Sequence, residues 1–145
     1  MSDKKGISMR IKVLGQQFDS DNNKIDEIQL ITDATIKNEN GLFIIDYTES
    51  SENANDNVTT RLRVTEKKLI MTKLSMVSST LEFEVDNKYH SIYSTIYGDF
   101  KMIISTMEYN YNLNKDGVGD IYLKYMVNLG DGEPYSNALQ ISLYE

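Results

Sequence analysis

The chain has no cysteine among its 145 residues, which removes disulfides, thiolate nucleophiles and thiolate zinc sites in one step. A reducing compartment agrees with that absence. Histidine is nearly missing too: His90 is the single one. Any Ser/His/Asp arrangement would depend on it alone, and no Gly-x-Ser-x-Gly elbow accompanies it. Acidic residues fall mostly in turns, away from the paired, buried settings that acid–base catalysis requires. The expectation is a protein without enzymatic activity, cofactor or metal. No run approaches the ~18 apolar residues of a membrane helix, and the polar start Met1–Gly6 lacks the apolar core of a leader peptide. A soluble cytoplasmic protein, with no membrane partner, is expected. Basic residues are also short: 22 Asp and Glu against 15 Lys and Arg give a formal net charge of −7. That balance disfavours nucleic acid, whose phosphates need a basic surface. The local cluster Arg61, Arg63, Lys67 and Lys68 reads as a solvated strand face. The lone proline, Pro134, lies in a turn between apolar runs.

What the sequence does contain is alternation. From Phe100 one face carries Phe100, Met102, Ile104 and Thr106. After a turn, Ile121, Leu123, Tyr125, Val127 and Leu129 share a face, and after another so do Asn137, Leu139, Ile141 and Leu143. A period of two, rich in β-branched and aromatic residues, is the signature of half-buried strands. Upstream the same pattern covers Ile7 to about Val13, then Ile28 to Ile36, Leu42 to Thr48, Val58 to Val64, Leu69 to Leu74, Leu81 to Val85, and Tyr89 to Ile96. Leu42-Phe43-Ile44-Ile45 is apolar on both faces, which predicts a strand covered on both sides. Asn40-Gly41 is a hairpin signal, because both residues accept positive φ. The acidic stretch 49–57 reads as a mobile loop, and the connection near Ser75 to Ser79 has room for a turn of helix.

Two loops imitate calcium sites, Asp19–Asn23 and Asn112–Gly117. Position twelve, where a bidentate Glu belongs, is Leu30 in one and Leu123 in the other, so both read as turns.

One all-β domain over residues 1–145 follows, an antiparallel up-and-down meander of about eight to ten strands. Closure into a barrel hides its two edges. A β-sandwich is the alternative.

The segments Thr60-Arg61-Leu62-Arg63-Val64, Thr95-Ile96-Tyr97-Gly98, Gly119-Asp120-Ile121-Tyr122-Leu123-Lys124-Tyr125 and Ser136-Asn137-Ala138-Leu139-Gln140-Ile141, with Thr106 and Tyr47-Thr48-Glu49, resemble the YwiB-like family of small bacterial proteins. The resemblance covers nearly the whole chain. It implies a calycin-like (lipocalin-like) barrel in the bacterial cytoplasm. Because that family is a domain of unknown function, it transfers no catalytic residues.

Two functional readings remain. Thr32, Thr60, Thr106, Tyr125 and Asn137 lie among the inward apolar faces, and Tyr93 and Tyr97 join them in one register of their strand. Such a set suits a barrel that binds a small, partly apolar ligand, or a filled core whose polar groups bond one another. The alternative is an interaction protein that uses the outside of the Phe100–Leu129 hairpin. With Thr106 opposite Tyr125, Ser105 faces Met126, Ile103 faces Asn128, Met107 faces Lys124 and Tyr109 faces Tyr122. Ile103, Met107, Tyr109, Tyr122 and Met126 then form an outer apolar patch, covered by a second copy of the chain or by one of its own segments.

Overall fold

The computed structural model describes residues 6–49, 58–74, 79–130 and 132–145, and of residues 93–95 the backbone alone. Residues 50–57 and 75–78 lie outside this description, and with them most of the acidic 49–57 loop and the suggested helical turn. Ten strands are present: β1 (Ile7–Phe18), β2 (Lys24–Glu39), β3 (Leu42–Glu49), β4 (Val58–Val64), β5 (Lys68–Leu74), β6 (Ser79–Glu84), β7 (Lys88–Thr95), β8 (Gly98–Leu113), β9 (Gly119–Leu129) and β10 (Tyr135–Tyr144). Every ladder between them is antiparallel, in the order β6-β5-β4-β3-β2-β1-β10-β9-β8-β7. Apart from β6 and β7, which end the order, strands consecutive in sequence are paired, and β1 meets β10 to continue the wall. The sheet rolls into a nearly closed barrel. A parallel bridge from Val85 to Thr106 marks where its ends approach.

Alternation decides which side chains fill the barrel. Ile11, Ile45, Leu62, Val64, Leu69, Ile121, Leu123 and Ile141 are fully buried, each on the inward parity of its strand. The turns follow their side-chain chemistry. Asn40 and Gly41 both take positive φ, 56° and 93°, and join β2 to β3 with Glu39 opposite Leu42. Asp19 Oδ1 accepts from the Asp21 and Asn23 amides, and Asn114 Oδ1 from those of Asp116 and Val118. The calcium-like loops thus use side-chain oxygens to close their own turns.

β3 buries only one face: Phe43, Ile45 and Tyr47 point inward, while Leu42 and Ile44 stay half-buried. The double-sided covering expected from the apolar run is not present. Its outer face is instead tied across strands, where Arg61 Nε and Nη2 donate to the two Asp46 carboxylate oxygens at 2.7 and 2.9 Å. Lys68 Nζ likewise meets Glu82 at 2.8 Å. Two members of the basic cluster are therefore paired on a strand face.

The strongest departure from regular alternation is a bulge in β8. Thr106 faces Tyr125, Ser105 faces Met126 and Ile103 faces Asn128, but the next paired residue after Thr106 is Glu108, opposite Lys124. Met107 is the extra residue. From there the parity inverts, so Tyr109 faces Leu123 and Tyr111 faces Ile121. Tyr109 and Tyr111 therefore enter the barrel, where their rings stack at 6.2 Å. The Tyr109 hydroxyl donates to Thr65 O at 2.5 Å.

Candidate functional site

The barrel is filled at the end where β8 leads into β9 and open at the other. Two long strands build the open end. β2 pairs with β1 from Lys24 to Ile36, but with β3 only from Ala34 onward. The stretch Lys24–Asp33 therefore overhangs the mouth. The lumen parity there carries Asp26, Ile28 and Leu30, opposite Gln17, Gly15 and Val13 of β1. Across the opening stand Tyr47, Met71, Leu81, Phe83, Tyr125 and Leu139. Together they line a cavity of about 290 Å³ whose other wall residues include Glu49, Lys73 and Asn137.

The floor is aromatic. The Phe83 and Tyr125 rings lie 4.7 Å apart with a 56° tilt, joining β6 to β9 across the interior. Burial pushes the Tyr125 phenol up. Tyr47 is pushed up to about 12, mainly by burial, with the Glu49 charge adding and the Thr60 hydroxyl opposing. Both phenols are therefore neutral donors over the ordinary pH range. At the rim, Lys73 is the cross-strand partner of Thr60 and of Ser79. It points into the mouth and forms no ion pair among the described residues.

The sequence-derived interior set divides. Thr60 and Thr106 lie inward and almost fully buried, and neither Oγ1 has a hydrogen bond of good geometry. Tyr125 and Asn137 face each other and line the cavity. The Asn137 amide donates to Tyr135 O at 3.3 Å. Thr32 has lumen parity opposite Ile11 but lines the cleft where β3 leaves β2, beside Asp33 and Asp46. The Tyr93 side chain lies outside the described residues. Tyr97 is a correction: with Ile96 it forms the two-residue tip between Thr95 and Gly98, and it is 86% exposed. It does not reach the interior. The strand turns there because Gly98 takes a φ of 120°.

The outer patch is corrected as well. Ile103, Met107, Tyr122 and Met126 stay on the outside, half-buried except for exposed Met107. Tyr109 is removed by the bulge, which also cancels the expected Met107–Lys124 and Tyr109–Tyr122 pairs. Sequence reasoning missed the rim residues Asp26, Glu49 and Lys73. Parity alone places them inward, in line with Ile28, Tyr47 and Met71.

The family described as "Domain of unknown function (DUF1934)" matches residues 11–141. No curated protein matches the chain. A solved structure titled "Crystal structure of ywiB protein from Bacillus subtilis" superposes with a TM-score of 0.70 at 14% identity, covering 94% of this chain and 92% of that one. At that identity the likeness speaks for the fold alone.

Proposed function

This chain belongs to the DUF1934 family, and on that premise we propose that it is a binding protein whose barrel mouth takes a small, partly apolar ligand. The observation that carries this reading is the cavity of about 290 Å³ above a filled lower barrel. Its walls are Val13, Leu30, Met71, Leu81, Phe83 and Leu139. Its polar groups stand apart at the rim and floor: Lys73, Glu49, Asp26, Asn137 and the Tyr125 hydroxyl. Apolar walls with a few separated polar groups suit a ligand with an apolar body and a polar end directed outward. The reading is non-enzymatic. His90 is exposed and beside Ile92 and Ile103 on β7 and β8, away from the cavity. Operation in the bacterial cytoplasm belongs to the same proposal.

Native mass spectrometry of freshly purified protein, with titration by an anilinonaphthalene sulfonate probe, tests it. Wild type is expected to retain a bound mass or bind the probe in 1:1 ratio. Leu81→Trp, which fills the cavity from its edge strand, is expected to abolish both while keeping the circular dichroism spectrum. A wild-type protein that carries no extra mass and binds no probe refutes the proposal.

A further inference from the structure

We propose that the barrel mouth selects ligands with a positively charged end, the apolar body seated in the cavity and a protonated amine held among the carboxylates of the rim. This rests on the binding reading above and adds to it the chemical class of the ligand. The walls of the cavity are apolar, so its few charged groups decide which polar end is accepted. Lumen parity brings Asp26 of β2 and Glu49 of β3 to the rim, and Lys73 of β5 is the one cation in the lining. Neither Asp26 nor Glu49 is in an ion pair among the described residues. The Tyr47 phenol is raised chiefly by burial and further by the Glu49 charge. The field of that carboxylate therefore reaches into the cavity.

The topology gathers more negative charge at the same end. The β1–β2 turn carries Asp19 and Asp21. Ser20 Oγ of that turn donates to Glu133 at 3.3 Å, which brings the carboxylate of the β9–β10 turn alongside. Lys24 is already matched by Glu27 at 3.2 Å, and Asp99 and Lys101 on the outside of β8 offset each other. The filled end differs: its turns carry Glu66 beside Lys67, Asp86 near Lys88 and Lys115 beside Asp116. Among the described residues the net negative charge is thus concentrated at the mouth. A cleft with low-dielectric walls and an excess of one sign focuses the field, draws in the opposite charge and repels its own. Lys73 opposes that field as a single charge.

The test compares octylamine, octanol and octanoic acid, which share one apolar body, by isothermal titration calorimetry at neutral pH. At low ionic strength octylammonium is expected to bind about tenfold or more tighter than octanoate, with octanol between them. Raising salt should weaken octylammonium and strengthen the anionic anilinonaphthalene sulfonate probe. Asp26→Asn combined with Glu49→Gln, which removes two charges with little change of shape, should bring the three affinities together while the circular dichroism spectrum stays the same. Glu49→Gln alone should narrow the gap in part, and Lys73→Met should widen it. Octanoate bound as tightly as octylammonium overturns the proposal. So do affinities that ignore salt, or an ammonium preference that survives the double substitution. Absence of binding by all three, with no bound mass on the wild type, refutes the binding reading and this inference together, a result distinct from a lost or inverted preference.

Discussion

Thr106 brings into the barrel a hydroxyl with no hydrogen-bond partner among the described residues, 6% exposed and opposite Tyr125. Leaving a buried hydroxyl unpaired costs roughly 1–3 kcal/mol. Thr106→Val keeps the branched shape and removes that cost. Its urea midpoint should rise, by about 1 kcal/mol in unfolding free energy; a clear fall would mean the hydroxyl has a partner. Tyr47 gives a second residue-scale prediction. Its phenol is neutral in the fold up to about pH 12, whereas an unfolded tyrosine ionises near 10. Between these values the unfolded state holds fewer protons, so stability is full below pH 10 and falls as pH rises toward 12. Two pKa units correspond to about 2–3 kcal/mol. Tyr47→Phe should show a shallower loss over this window in pH-dependent urea unfolding; an identical slope would place Tyr47 in solvent. The inward parity of Thr60, Thr106, Tyr125 and Asn137 was readable, because each sits in step with Leu or Ile on its own strand. That the Thr106 hydroxyl finds no partner among the described residues was not, since it depends on groups brought from other strands.

At the scale of elements, the pairing of Thr106 with Tyr125 followed from hydrophobic parity, and so did the pairs back to Ile103. Two residues further on the same rule failed. A bulge adds one residue to one strand, and Met107 resembles its neighbours in Met102-Ile103-Ile104 too closely to announce itself. Its consequence is large: the stacked Tyr109–Tyr111 pair, and the Tyr109 bond to the β4–β5 turn, exist because parity inverts there. Deleting Met107 would restore simple alternation and turn both tyrosines out. That variant should lose more than 10 °C in melting temperature, roughly what a few kcal/mol means for a domain of this size. Met107→Gln keeps the bulge at an exposed position and should melt within about 2 °C of wild type. Equal melting of the deletion and wild type would show that the register of β8 slips without cost. The Asn40-Gly41 turn was legible for the opposite reason: its backbone demand, positive φ twice in succession, is met by few residue pairs.

For the whole molecule, strand count, antiparallel order and closure by β1 against β10 could be anticipated from ten alternating runs joined by short connections. The seam could not. The turn at Asp86-Asn87 predicts a β6–β7 hairpin, yet the two strands separate and leave an open line along the barrel wall. Tyr89 entering beside Ile104, the Phe83–Tyr125 contact and the Val85–Thr106 bridge hold the lower part of that line together. Above them β6 depends on β5 alone for its ladder, while β1 and β10 are paired on both sides. Local opening should therefore begin at β6, whose Leu81 and Phe83 form one wall of the cavity. Hydrogen exchange read by mass spectrometry measures this directly. Amides of Ser79–Glu84 should exchange roughly tenfold or more faster than those of Ile11–Leu14 and Leu139–Leu143, about 1.4 kcal/mol or more of easier opening. A ligand seated in the mouth contacts Leu81 and Phe83 only while β6 is closed, so it should slow exchange in β6 and leave β1 and β10 unchanged. Equal protection of β6 and β1 in the free protein would mean that the wall is shut along its whole length, and entry would then have to come over the β2 overhang.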